Sequence, residues 1–271
     1  MPSKVLKTKI PTKAPVILSG DKKTIKKTTI NVNDAGVKRY LHWMCSPGNK
    51  CVPLQDESFT ESINWRIFRI MAEFIEGFEF LSKLKGEVTI FGSARAMPGN
   101  PYYKVAKELG YLLGKSGYTV ITGGGPGMME AANWGAFDAG GQSVGLDIQL
   151  PMEQRRNQFV TKAMGFHYFF TRKVMLSASA QAYVIMPGGF GTLDEMTEMI
   201  TLLQTGKIPS NVPVVLVGKA FWQPFLDWIH NTVIDQQHFV EKEEMHFMHL
   251  VDSAQEAFDI IHETTSEREF G

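Results

Sequence analysis

The chain is poor in cysteine, net charge and long apolar runs, and each shortage removes a class of protein. Its two cysteines, Cys45 and Cys51, are too few for a disulfide scaffold. With His42 as their nearest histidine they also lack the paired ligands of a structural zinc site. A reducing, cytoplasmic setting is expected. Lys and Arg total 28, as do Asp and Glu, so the whole molecule is no electrostatic match for nucleic acid or an anionic membrane. No apolar stretch reaches membrane-spanning length, and the first residues lack the apolar core of a signal peptide. His246 and His249, the one histidine pair at metal spacing, sit in a Met- and Phe-rich segment and read as surface or interface residues. Neither a metal nor a cofactor is expected.

What is present suggests one large globular domain with an appendage: 271 residues, 44% of them hydrophobic. Residues 1–50, with Lys22-Lys23 and Lys26-Lys27, read as a basic, extended arm. Residues 51–85 form a helical extension, because Ile63, Ile67, Ile70, Met71, Phe74, Ile75, Phe78 and Leu81 recur at helical spacing. From 86 to 271 strands and helices alternate. Strands are expected over 88–92, 118–122, 143–148, 166–170, 182–186 and, last, 213–217. Helices are expected over 102–116, from 128, from 171, from 192, and over 221–233 and 254–261. This alternation predicts a doubly wound, Rossmann-like α/β domain, a parallel sheet with helices on both faces, whose ligands gather beyond the carboxyl ends of the strands.

Three of those ends carry turns of small residues. The first holds Ser93 and Arg95, either ligand contacts or a turn serine and a solvated arginine. The second, Gly123-Gly124-Gly125-Pro126-Gly127, opens a helix; its third glycine comes one place early for a dinucleotide fingerprint, so it reads as an anion turn. Glu130 in that helix is as much a dipole-complementing acid as a site residue. A P-loop look-alike, Gly110 to Ser116, is one residue short and lies within a helix, and is set aside. The third turn organises the chain. Val184-Ile185-Met186-Pro187-Gly188-Gly189-Phe190-Gly191-Thr192-Leu193-Asp194-Glu195 is strand, glycine turn and helix start, where unpaired N–H groups and the helix dipole attract phosphate. Glu153, Gln154 and Asn157 form a polar loop that fits a lid or an ordinary connection.

Gly123-Gly-Gly-Pro-Gly127 with Met128-Met-Glu-Ala-Ala-Asn133, the pair Arg172-Lys173, and Pro187-Gly-Gly-Phe-Gly-Thr-Leu-Asp-Glu195 resemble the Lonely Guy family of cytokinin-activating phosphoribohydrolases, whose members have often been labelled lysine decarboxylases. The similarity covers roughly 87–233. It implies hydrolysis of the N-glycosidic bond of a nucleoside 5′-monophosphate, such as AMP or a cytokinin riboside monophosphate, to free base and ribose 5-phosphate. By matching position it implies Arg172 and Glu195 as the catalytic pair. Gly188, Gly189, Gly191 and Thr192 would hold the phosphate with Lys173 and Thr201 nearby, and Gly124, Gly125, Glu130 and Ser93 would complete the substrate site. Glu130 stands where shorter plant-type members carry a small residue, which leaves the preferred base open. The resemblance also implies a homodimer or larger homo-oligomer, as does the Met- and aromatic-rich surface of the helices. Two other readings stand beside it: a non-catalytic nucleotide or cofactor carrier, and an NAD-dependent oxidoreductase with Asp147 on the ribose.

Overall fold

A computed structural model describes residues 63–149 and 156–266. The basic arm, and Glu153 and Gln154 of the polar loop, lie outside the described residues. Helix α1 (Ile63–Leu81) precedes strand β1 (Glu87–Phe91). There follow α2 (Pro101–Lys115), β2 (Thr119–Thr122), α3 (Met128–Asp138), β3 (Gln142–Ile148), β4 (Lys162–Phe166), α4 (Phe169–Ala178) and β5 (Ala182–Ile185). The chain closes with α5 (Phe190–Gln204), β6 (Val214–Val217), α6 (Lys219–Trp228), β7 (Met248–Val251) and α7 (Ala254–Ser266).

All seven strands pair in parallel, in the order β4-β3-β2-β1-β5-β6-β7. The chain winds outward from β1 to β4, returns through α4 to β5 beside β1, and winds outward again. Between β1 and β5 the winding direction reverses, which is where doubly wound sheets open a crevice for ligand. The expected fold class is what the structure has.

Strands β1, β2, β5 and β6 are buried throughout, because helices cover both faces. One core, with Val88, Ile90, Val120 and Val184, is closed by α2, α3 and α7; the other, with Ile121, Val144, Ile185 and Leu216, by α1, α4, α5 and α6. The set-aside glycines have a packing role: a Cβ on Gly110 of α2 would stand 2.2 Å from the Ala132 carbonyl oxygen of α3, so the two helices touch backbone to backbone.

Three local expectations are corrected. The fourth strand is Lys162–Phe166, not 166–170. It is an edge strand with few β-branched residues, and the aromatic cluster after it draws the eye; Phe169 and Phe170 instead start α4, ahead of the expected Thr171. A seventh strand, Met248–Val251, follows the one expected to be last, and the half-buried His249 belongs to it. The helix expected over 221–233 is α-helical only to Trp228 and widens into a π turn over Ile229–Ile234.

Candidate functional site

The three small-residue turns meet at the carboxyl end of the sheet. Ser93 binds them together through its backbone: its N–H donates to the Pro187 carbonyl at 3.1 Å and its carbonyl accepts from Met128 N–H at 3.0 Å. Its hydroxyl accepts from Arg95 N–H, closing its own turn. Gly127, at φ +75°, leaves no room for a side chain; a Cβ there would stand 2.3 Å from the Ser93 oxygen.

The second turn is held from beneath by buried amides. Asn157 donates from Nδ2 to the carbonyls of Gly124 and Gly125 and to Asn133 Oδ1, at 3.1, 3.0 and 3.0 Å. Thr122 donates to Asn133 Oδ1 and accepts from Gly124 N–H. Asn133 in turn donates to Ser143 Oγ. Asn133 and Thr122 have no exposed surface, and losing one partner would strand the others in a dry interior. Asn157 is thus a clamp on the glycine turn, a role that its place in a polar loop did not reveal.

The third turn opens helix α5. Gly189 is its N-cap and makes no side-chain cap; its carbonyl accepts from the N–H groups of Thr192 and Leu193, both at 3.0 Å, which leaves those of Phe190 and Gly191 without an acceptor in the helix. Gly189, Phe190 and Gly191 are exposed, and nothing lies within 4 Å of a Cβ built on Gly189 or Gly191. At Gly188 the Thr192 hydroxyl would be only 2.0 Å from such a Cβ, so buried Thr192 lies against the bare backbone. The mouth of α5 is open.

Arg172 comes to this mouth on α4, and the placing of α4 has a distant cause. No side chain of α4's own caps it. The buried carboxylate of Glu73 on α1 does so, accepting from His167 N–H at 2.8 Å, Tyr168 N–H at 3.4 Å and Thr171 Oγ1 at 2.5 Å. An anion there also complements the α4 dipole. Gly77 of α1 seats against Met175 of α4, with room for no Cβ.

Arg172 Nη2 stands 4.0 Å from Glu195 Oε1, an ion-pair separation too long for a hydrogen bond. Both side chains are largely buried, and Arg172 Nε and Glu195 Oε2 have no hydrogen-bond partner. Burial pushes the Glu195 carboxyl up to about 7, against the pull of Arg172 and then Lys173. Burial lowers the Arg172 pKa, opposed by Glu195 and Asp147. Asp147, at the end of β3, closes the far side: it pairs with Arg156, keeps Oδ1 buried and unpartnered, and fills the space where Gly124 would carry a side chain. Its carboxyl is raised by burial and held back by Arg156 and Arg172. Arg172 therefore lies between two carboxylates, its guanidinium beside the bare backbone of Gly123.

The remaining expected residues fall at different distances from this centre. Lys173 sits on the seam of α4 and α5 with its ammonium on Asp194 at 2.9 Å and Glu198 at 2.6 Å. Glu130, half-buried in the first turn of α3, raises the Tyr103 pKa after burial has done so, which puts it towards α2. Thr201 is exposed, about 14 Å along α5 from Thr192, and its hydroxyl donates to the Thr197 carbonyl. Among the described residues no three His, Cys, Asp or Glu side chains group to hold a metal, and no helix is long and apolar enough to cross a membrane.

Residues 129–261 match the family model described as "Possible lysine decarboxylase". The chain is similar to a cytokinin riboside 5′-monophosphate phosphoribohydrolase of Rhodococcoides fascians, 26% identical over 152 residues, covering 55% of this chain and 76% of that one. It is also similar to the enzyme of that name, LOG, of Oryza sativa subsp. japonica, 31% identical over 144 residues, 52% of this chain and 59% of the relative. Among solved structures, the molybdenum cofactor carrier protein of Chlamydomonas reinhardtii shares the fold, with a TM-score of 0.50 and 20% identity over 67% of this chain and 99% of that one. Over about half of its length the chain is thus similar to the family of possible lysine decarboxylases, and over a similar stretch to the Lonely Guy phosphoribohydrolases.

Proposed function

We propose that this protein hydrolyses the N-glycosidic bond of a nucleoside 5′-monophosphate, releasing the base and ribose 5-phosphate. The observation that carries the proposal is the meeting of Arg172 Nε and Glu195 Oε2, both buried and unpartnered, at the open amide mouth of α5 beside the β1–β5 reversal. Phosphate docks on the first-turn amides of α5 around Gly188, Gly189, Gly191 and Thr192. Breaking the bond between C1′ and the base nitrogen leaves a cation-like ribose, which an adjacent carboxylate stabilises. Glu195 takes that place and orders the water whose oxygen adds to C1′. Arg172 favours the ionised form of Glu195 against the burial that raises its pKa, and offers Nε to the nucleotide. Gly124, Gly125, Ser93 and Glu130 line the approach, and Lys173 and Thr201 lie along α5 beyond the mouth.

Nothing in the site favours a carrier, since the likeness to the molybdenum cofactor carrier is one of fold. The NAD reading loses its acid, because Asp147 is engaged by Arg156 and faces Arg172. A homo-oligomer belongs to the proposal. Ile67, Phe68, Met71, Ile75 and Phe78 expose half or more of their surface on α1, Phe169 and Phe190 do so beside the mouth, and a second copy would bury them. So do a cytoplasmic setting and the division into an arm over 1–50, a helical extension over 51–85 and a catalytic domain over 86–271. The test is a panel of nucleoside 5′-monophosphates with the matching nucleosides, scored by released base. Monophosphates should be cleaved far faster than nucleosides; equal rates would remove the phosphate anchor.

A further inference from the structure

The amino end of the sheet, away from the site, holds a cavity of about 420 Å³. It lies below the first residue of β1, between the last turns of α1 and α4. Strand alternation turns Glu87, Thr89 and Phe91 to this side of the sheet: Thr89 Oγ1 donates to the Leu176 carbonyl of α4 and Phe91 packs in the same core. Glu87 thereby enters the cavity wall with only 7% of its surface exposed. Among the described residues no Lys, Arg or His pairs with it, and burial raises its pKa. Beside it Ser179 Oγ is buried without a hydrogen-bond partner. Phe78, Leu81 and Leu84 supply an apolar wall, and exposed Lys85 also lines the space.

Lys85 stands exposed among the lining residues, but the groups buried beside Glu87 favour a positive charge. Glu87 offers a carboxylate removed from water, Ser179 a free acceptor, and α1 and α4 both end here, with the negative ends of their dipoles towards the cavity. A buried carboxylate with no counter-charge is costly, and a bound cation relieves that cost.

We propose that this cavity is a second binding site, separate from the nucleotide site, for a small organic cation: a primary ammonium that docks on Glu87 and Ser179 with its alkyl body against Phe78, Leu81 and Leu84. About 20 Å of extended chain, counted from Glu87, separates it from the turn at Ser93. Helix α4 spans the two, carrying Arg172 near one end and Ser179 just past the other.

The test is ligand-observed saturation-transfer NMR on the full chain with three probes of similar size, n-butylammonium, 1-butanol and n-valerate. Saturable binding of n-butylammonium, at least tenfold tighter than 1-butanol and unaffected by AMP, is the expected result. Glu87→Gln should weaken it at least tenfold and Ser179→Ala a few-fold, with base release from AMP retained in both. No saturable n-butylammonium signal, equal binding of 1-butanol, preference for n-valerate, or undiminished binding in Glu87→Gln would each overturn the proposal. If Glu87→Gln fails to fold, the wild-type probe comparison and Ser179→Ala decide alone.

Discussion

Glu195→Gln preserves side-chain volume and removes one charge from a site 8% exposed. Burial holds the carboxyl at about 7 in the folded chain against an ordinary 4.5. A folded pKa above the unfolded one means that the fold binds this proton more tightly, so the cost of the charge is absent below pH 4.5, grows as pH rises and is complete above about pH 7. At about 1.4 kcal/mol per pH unit, the full cost is about 3 kcal/mol. That cost is already net of the attraction to Arg172, which the raised pKa includes. The glutamine carries no charge at any pH, so the stability of the variant relative to wild type should climb by roughly 2–3 kcal/mol between about pH 4.5 and about pH 8. Urea unfolding of both proteins across that range, followed by tryptophan fluorescence, measures the difference. Turnover of AMP should vanish in the variant while AMP binding persists. Parallel stability curves, with a difference that stays constant across the range, would show an ordinary carboxyl and refute the assignment of a strained, buried acid.

Other consequences can be checked separately. In Asn157→Ala the carbonyls of Gly124 and Gly125 and Asn133 Oδ1 lose a shared donor; unfolding should cost about 2–3 kcal/mol less, and KM for AMP should rise more than kcat falls. Glu73→Ala uncaps α4, so a loss of about 1–2 kcal/mol in urea unfolding is expected, together with a drop in kcat because Arg172 is no longer held. Gly124→Ala places a methyl on Asp147 at a φ of +69°, and soluble yield or melting temperature should fall sharply. Free enzyme should gain kcat/KM as pH rises through about 7, the value to which Glu195 is raised; a flat profile there would deny the carboxylate its role.

The glycine turns were legible because they are local: a short apolar run, then glycines, then helical spacing can hardly be anything else, and Gly188, Gly189 and Gly124 stand where that pattern put them. Arg172 and Glu195 came from a motif, and the structure brings them within 4.0 Å across 23 residues of chain. What supports them was not legible. Glu73 caps a helix 94 residues away, and no local spacing announces an acid on an amphipathic helix as a cap for another. Asn157 is one polar residue in a polar loop until the sheet folds it onto Gly124. Asp147 looked like a ribose acid because strand position alone does not show Arg156 against it. Strands β4 and β7 were misplaced or missed for a shared reason: both are edge strands, half-buried, with little of the β-branched run that marks the centre of the sheet.

The central claim is that a nucleotide bound at the mouth of α5 is cut at its glycosidic bond. Incubating the purified protein with AMP and quantifying adenine and ribose 5-phosphate together tests it most directly. The account predicts both products in equal amounts, and none from Glu195→Gln. AMP bound and recovered intact by the wild-type protein would contradict it.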